Sequence, residues 1–86
     1  MDRTYVRRLG LPRPIHVTTD QAGLPVAVAN RPVSVTRDEW RVEEGWWTDV
    51  PIRRRYLELV LAGGRIAMVF EDRRRPGRWY VQQAGG

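Results

Sequence analysis

Apolar and polar side chains alternate along this chain with a period of two, the period of a β-strand, and no window sustains a 3.6-residue apolar stripe. Ile15 and Val17 point one way while His16 and Thr18 point the other. Asp20-Gln21-Ala22-Gly23 follows as a turn, with glycine placed for positive φ. A hairpin closed there sets Val17 against Val26 and Ile15 against Val28. A second tight turn at Asn30-Arg31 sets Val28 against Val33 and Val26 against Val35, giving a three-strand meander.

The second half carries a similar pattern. A two-residue turn at Gly63-Gly64 is a favoured hairpin signal, because glycine tolerates the φ of primed turns. It predicts Leu61 opposite Ile66, Leu59 opposite Met68 and Leu57 opposite Phe70, all on one face. The connection Asp72 to Gly77 then sets Phe70 against Trp79 and Met68 against Val81. Between the halves, Trp40 and Val42 alternate with Arg41 and Glu43 in a short strand after a bulge near Arg37-Asp38. Gly45 ends that strand, Pro51 rules out a central-strand position, and a brief helix fits at the N-terminus or around Trp46-Trp47. Parity assigns Trp40 and Trp79 to the core, and one of Trp46 and Trp47 to the surface. The expected fold is all-β: about six strands in meander order, as a small antiparallel barrel (SH3-like closure included) or a two-sheet sandwich. Residues 1–12 read as a flexible basic arm, 13–83 as one β domain and 84–86 as a flexible tail.

Composition adjusts this picture. The chain has 86 residues and 42% apolar side chains, enough for one domain with one core. It has no cysteine and a single histidine, His16, which argues against disulfides, thiolate catalysis and cysteine- or histidine-rich metal sites. No apolar run is long enough to span a bilayer, and the N-terminus lacks the apolar region of a secretory signal, so a cytoplasmic protein is expected. All 15 basic residues are arginine, and the net charge is +5. Arginine's planar, permanently charged fork suits phosphate and carboxylate and stacks on aromatic rings, though a GC-rich genome alone would also favour it.

Catalytic chemistry is poorly provided for. Ser34 and His16 are expected two strands apart. Asp38-Glu39 and Glu43-Glu44 are adjacent on strands and therefore point to opposite faces, which spoils a shared proton site. No phosphate-cradling glycine loop precedes a helix. The expectation is a protein that is not an enzyme and uses no cofactor. What remains is arginine interleaved with aromatics: Arg53-Arg54-Arg55 before Tyr56, and Arg73-Arg74-Arg75 before Arg78-Trp79-Tyr80. That combination serves single-stranded nucleic-acid surfaces, with charge for the backbone and rings for the bases. It makes Arg53, Arg54, Arg55, Arg73, Arg74, Arg75 and Arg78 the candidate nucleic-acid contacts. Trp46, Trp47 and Tyr56 are the candidate contacts for a protein partner. Solvated charge and buried rings are the plainer alternative at each position.

The series Trp40-Arg41-Val42-Glu43-Glu44-Gly45-Trp46-Trp47, followed by Tyr56, Gly64-Arg65 and Gly77-Arg78-Trp79-Tyr80, resembles a small bacterial domain family of unknown function common in actinobacteria. A similar Trp-Trp and Gly-Arg-Trp series closes ImuB, the catalytically defective Y-family polymerase homologue of the bacterial mutasome. The resemblance covers residues 28–83, and Gly63-Gly64 departs from the Asp/Asn-Gly that the pattern often shows. It implies an accessory role in translesion DNA synthesis or repair. A DNA polymerase or mutasome-type protein would be the partner and direct binding of DNA the alternative; dimerisation through an open sheet edge is a third class. It transfers no catalytic residue.

Overall fold

The computed structural model describes residues 12–45 and 47–82. They form seven antiparallel strands: β1 (Arg13–Pro14), β2 (Val17–Thr19), β3 (Pro25–Val28), β4 (Arg31–Glu44), β5 (Ile52–Leu61), β6 (Ile66–Asp72) and β7 (Trp79–Val81). The strands lie in one sheet, in the order β1-β7-β6-β5-β4-β3-β2, curled into a half-barrel. The fold is all-β and follows the expected meander, and the described residues contain no helix. β1 and β2 sit at opposite edges yet are separated only by Ile15 and His16. Ile15 N donates to Trp79 O (3.1 Å) on one side, and His16 O accepts from Ala29 N (2.8 Å) on the other. One short segment thus joins both edges of the curl. The expected arm (residues 1–12), apart from Pro12, and the tail (84–86) lie outside the described residues.

β4 is the long shared member. It pairs with β3 at Pro32 and Arg31, and with β5 from Val33 to Glu44. The register shifts between Val33 and Val35 and again between Thr36 and Asp38. The second irregularity is the bulge anticipated near Arg37-Asp38; such bulges bend a strand and raise its twist. The strand stops at Gly45 (φ 67°), and β5 starts after Pro51, both as expected.

The core lies on the concave face: Leu57, Leu59 and Leu61 of β5, Val69 of β6, Trp79 of β7 and Val28 of β3. Four of the expected registers need correction: β2–β3, β3–β4, β5–β6 and β6–β7. The β5–β6 loop holds three residues, Ala62-Gly63-Gly64, with Leu61 N donating to Arg65 O (2.7 Å) and Gly64 N to Leu61 O (2.9 Å). Leu59 therefore faces Ala67 and Leu57 faces Val69, while Met68 and Phe70 turn to the opposite face. The same slip carries into β7, where Phe70 pairs with Tyr80 and Val69 with Val81. In the first half the two-residue turn is Ala29-Asn30 (φ 49° and 68°), as a type I′ turn requires. It pairs Val28 with Arg31. On the other side of β3, Val17 pairs with Val28 where Val26 was expected, with a register shift between Thr18 and Thr19, and Val26 is exposed. The Asp20–Gly23 turn is as expected: Asp20 Oδ1 accepts from Ala22 N (2.8 Å) and Leu24 N (2.9 Å), and Gly23 has φ 82°.

Candidate docking face

The one-residue slip creates the most distinctive surface of the molecule. Trp40, Tyr56, Phe70 and Tyr80 stand directly opposite one another on β4, β5, β6 and β7. Strand pleating places all four on the convex face, away from the core. Their ring centroids are 5.5, 5.0 and 5.2 Å apart, with interplanar angles of 5°, 39° and 20°. The two outer pairs are stacked and the central Tyr56–Phe70 pair is tilted, and such cross-strand pairs stabilise a sheet. Trp40, at the β4 end, is 37% exposed, which corrects the expectation that it lies in the core. Phe70 is buried to 2% because Arg54 lies over it, 4.4 Å from the ring centroid, between the two tyrosines. Arg54 also donates to Tyr56 Oη (3.1 Å). None of the described strands crosses this face.

The candidate residues from the sequence are distributed unevenly around it. Tyr56 is in the row. Trp47 is 71% exposed, in the segment between β4 and β5, which Thr48 fastens by donating from N and Oγ1 to Gly45 O (2.8 and 2.7 Å). Trp46 lies outside the described residues, and residues 47–50 form a turn and bends where a helix was an option. Arg55 points to the concave side, its side chain only 14% exposed. There it meets Glu39 (3.5 Å) and Glu71 (3.3 Å), donates to Gly23 O (2.6 Å) and lies over Trp79 (5.4 Å). Arg73 pairs with Glu43 (2.8 Å), and Arg74 donates to Pro51 O (3.3 Å). Arg53, Arg75 and Arg78 are exposed at the same end of the sheet and make no ion pair among the described residues. Four of the seven candidate arginines, Arg54, Arg55, Arg73 and Arg74, thus have partners for their side chains within the fold.

Sequence reasoning missed Phe70 and Tyr80 as members of the row, because Ile66 to Phe70 is apolar at every position and admits either register. It also missed a second feature. At the end of the curl near the β5–β6 loop, an open cavity of about 640 Å³ is floored by Val28, Leu61 and Ala67 and rimmed by Arg13, Arg31 and Arg65. These arginines come from three separate segments, so no local pattern groups them. No cluster of three or more potential metal ligands occurs among the described residues. No helix among them is long and apolar enough to cross a membrane.

Compared with known proteins, the chain matches no protein family, no curated protein and no solved structure at a significant level.

Proposed function

We propose that this protein is a non-enzymatic adaptor that docks a protein of a DNA polymerase complex through its convex aromatic face and the exposed Trp47. The observation that carries the docking reading is the cross-strand aromatic row Trp40–Tyr56–Phe70–Tyr80, which no described strand covers. Two of its three ring pairs are stacked and Arg54 lies over Phe70, so Trp40, at the β4 end, is the ring most open to a nucleobase. A protein surface can use what the row does present, ring edges and tyrosine hydroxyls, and interface energy concentrates in such aromatic anchors. The setting in translesion synthesis rests on the resemblance of the Trp-Arg-Val-Glu-Glu-Gly-Trp-Trp series alone.

The alternative is direct binding of single-stranded DNA, and Arg53, Arg75 and Arg78 are the exposed charges that favour it. Two measurements separate the readings. A photo-crosslinking residue at Trp47, in cells carrying DNA damage, should capture a component of the polymerase complex; the Tyr80→Ala background should lose that product. Fluorescence anisotropy with a labelled single-stranded oligonucleotide should show only weak binding at low salt. Tight binding would instead lose about 0.7 of slope in log K against log salt for each contact removed by Arg→Ser changes at 53, 75 and 78. That result, with no captured protein, would replace the adaptor reading by the DNA one.

A further inference from the structure

Past Pro32, β4 pairs with a described strand on one side only. β3 pairs with Arg31 and Pro32 and then leaves, whereas β5 continues on the other side to Glu44. No described strand pairs with the outer edge from Asp38 to Glu44, where nearly every side chain is exposed. Exposed edges are templates for another strand. Such edges are usually blunted by bulges and charge, and β4 has both: the register shift next to Arg37, and alternating charge beyond it.

We infer that the occupant of this edge is the same edge of a second copy, paired antiparallel with Trp40 on the two-fold axis. Parity limits the choices. Residues directly opposite must share a face, so the axis passes through a residue and not between two. An axis at Glu39 sets carboxylate on carboxylate, and one at Arg41 sets guanidinium on guanidinium while placing Glu39 against Glu43. An axis at Val42 leaves Trp40 facing Glu44 and runs Glu39 against Gly45, where the strand has already ended. An axis at Trp40 sets Arg41 against Glu39 of the second copy twice, and Trp40 against its own equivalent. Arg41, exposed and without an ion pair among the described residues, there gains a carboxylate. The outer face of Trp40, which Tyr56 leaves uncovered, gains a ring. The convex faces of both copies become continuous, so the two aromatic rows join into one. This inference concerns the β4 edge and stands whether or not the convex face docks a polymerase component.

Sedimentation of the full chain over a range of concentrations should show a monomer–dimer equilibrium. Arg41→Glu turns both charge contacts repulsive and should weaken the dimer at least about tenfold. The double variant Glu39→Arg with Arg41→Glu should restore it; in that variant the carboxylate introduced at position 41 also lies opposite Arg55, its partner across the ladder. Independently, Trp40→Cys introduces a lone cysteine at the axis and should oxidise readily to a covalent dimer. Glu44→Cys, on the same face but off the axis, should not. A chain that stays monomeric at millimolar concentration overturns the inference. So does a dimer indifferent to Arg41→Glu, or equal oxidation of the two cysteine variants. If Arg41→Glu fails to fold by circular dichroism, wild-type sedimentation and the cysteine pair still decide.

Discussion

Arg54 and Arg55 are adjacent and chemically identical, yet the strand sends them to opposite sides and into different work. Arg54 lies on the convex face as a lid on Phe70. Arg55 lies in the concavity between Glu39 and Glu71 and holds the tip of the β2–β3 hairpin through Gly23 O. Removing one partner of a largely buried ionic group strands the other in a poorly solvated site. Arg55→Ala should therefore destabilise by about 3 kcal/mol. Arg54→Ala forfeits a partly exposed cation–π contact and the hydrogen bond to Tyr56 Oη and should cost about 1 kcal/mol. Denaturant midpoints of the two variants test this, and equal midpoints would show that Arg55 does not anchor the hairpin. The alternation that separates the two arginines is written in the sequence. The convergence of Glu39, Glu71 and Gly23 on Arg55 is not, because it joins residues from three distant segments.

At the scale of the strand, the chain announced its elements better than their registers. The meander from β2 to β7, the bulge near Arg37, the break at Gly45 and the turn at Asp20–Gly23 follow from local chemistry and are present. The β1–β7 pairing and the continuity of β4 from Arg31 to Glu44 were not anticipated. Registers failed where both faces of a strand are apolar. Ile66-Ala67-Met68-Val69-Phe70 offers no polar parity marker, so loop length alone decides, and Gly63-Gly64 is compatible with two or three loop residues. The three-residue loop wins, and it sorts aliphatic side chains to the core and aromatic ones to the convex face. The register has a direct check. Leu59, fully buried, should lose roughly 2–5 kcal/mol on truncation to alanine. Met68, half-buried on the convex face, should lose about 1 kcal/mol or less. Comparable losses at both positions would restore the Leu59–Met68 pairing. The candidate site suffered from the same ambiguity: Tyr56 was recognisable, but the row to which it belongs exists only in the observed register.

For the molecule as a whole, the excess positive charge collects at the two ends of the strands. Arg13, Arg31 and Arg65 rim the cavity at one end, and Arg53, Arg75 and Arg78 lie at the other. Glu39, with Arg55, lies between, while Glu43 sits across the ladder from Arg53 and pairs with Arg73. An electrostatic field of this shape attracts polyanions without selecting among them. It leaves the aromatic face as the part of the surface able to discriminate one partner from another.

The segment that joins the two edges of the curl also sets the order in which the molecule assembles. Every pairing from β2 to β7 links consecutive strands and can zip up from a nearby turn. The pairing of Pro14 with Tyr80 must instead gather nearly the whole domain into one ring. The entropy of closing a ring rises only by about 0.6 kcal/mol per doubling of its length, but it falls due before any contact repays it. β1, two residues long, repays little of it. It should dock last during refolding and open first in the native state. In hydrogen exchange, Ile15 N–H, bonded to Trp79 O, should exchange through local opening, well ahead of amides in β5 such as that of Leu59. Equal protection at the two sites would mean that the ring closes within the cooperative folding step itself.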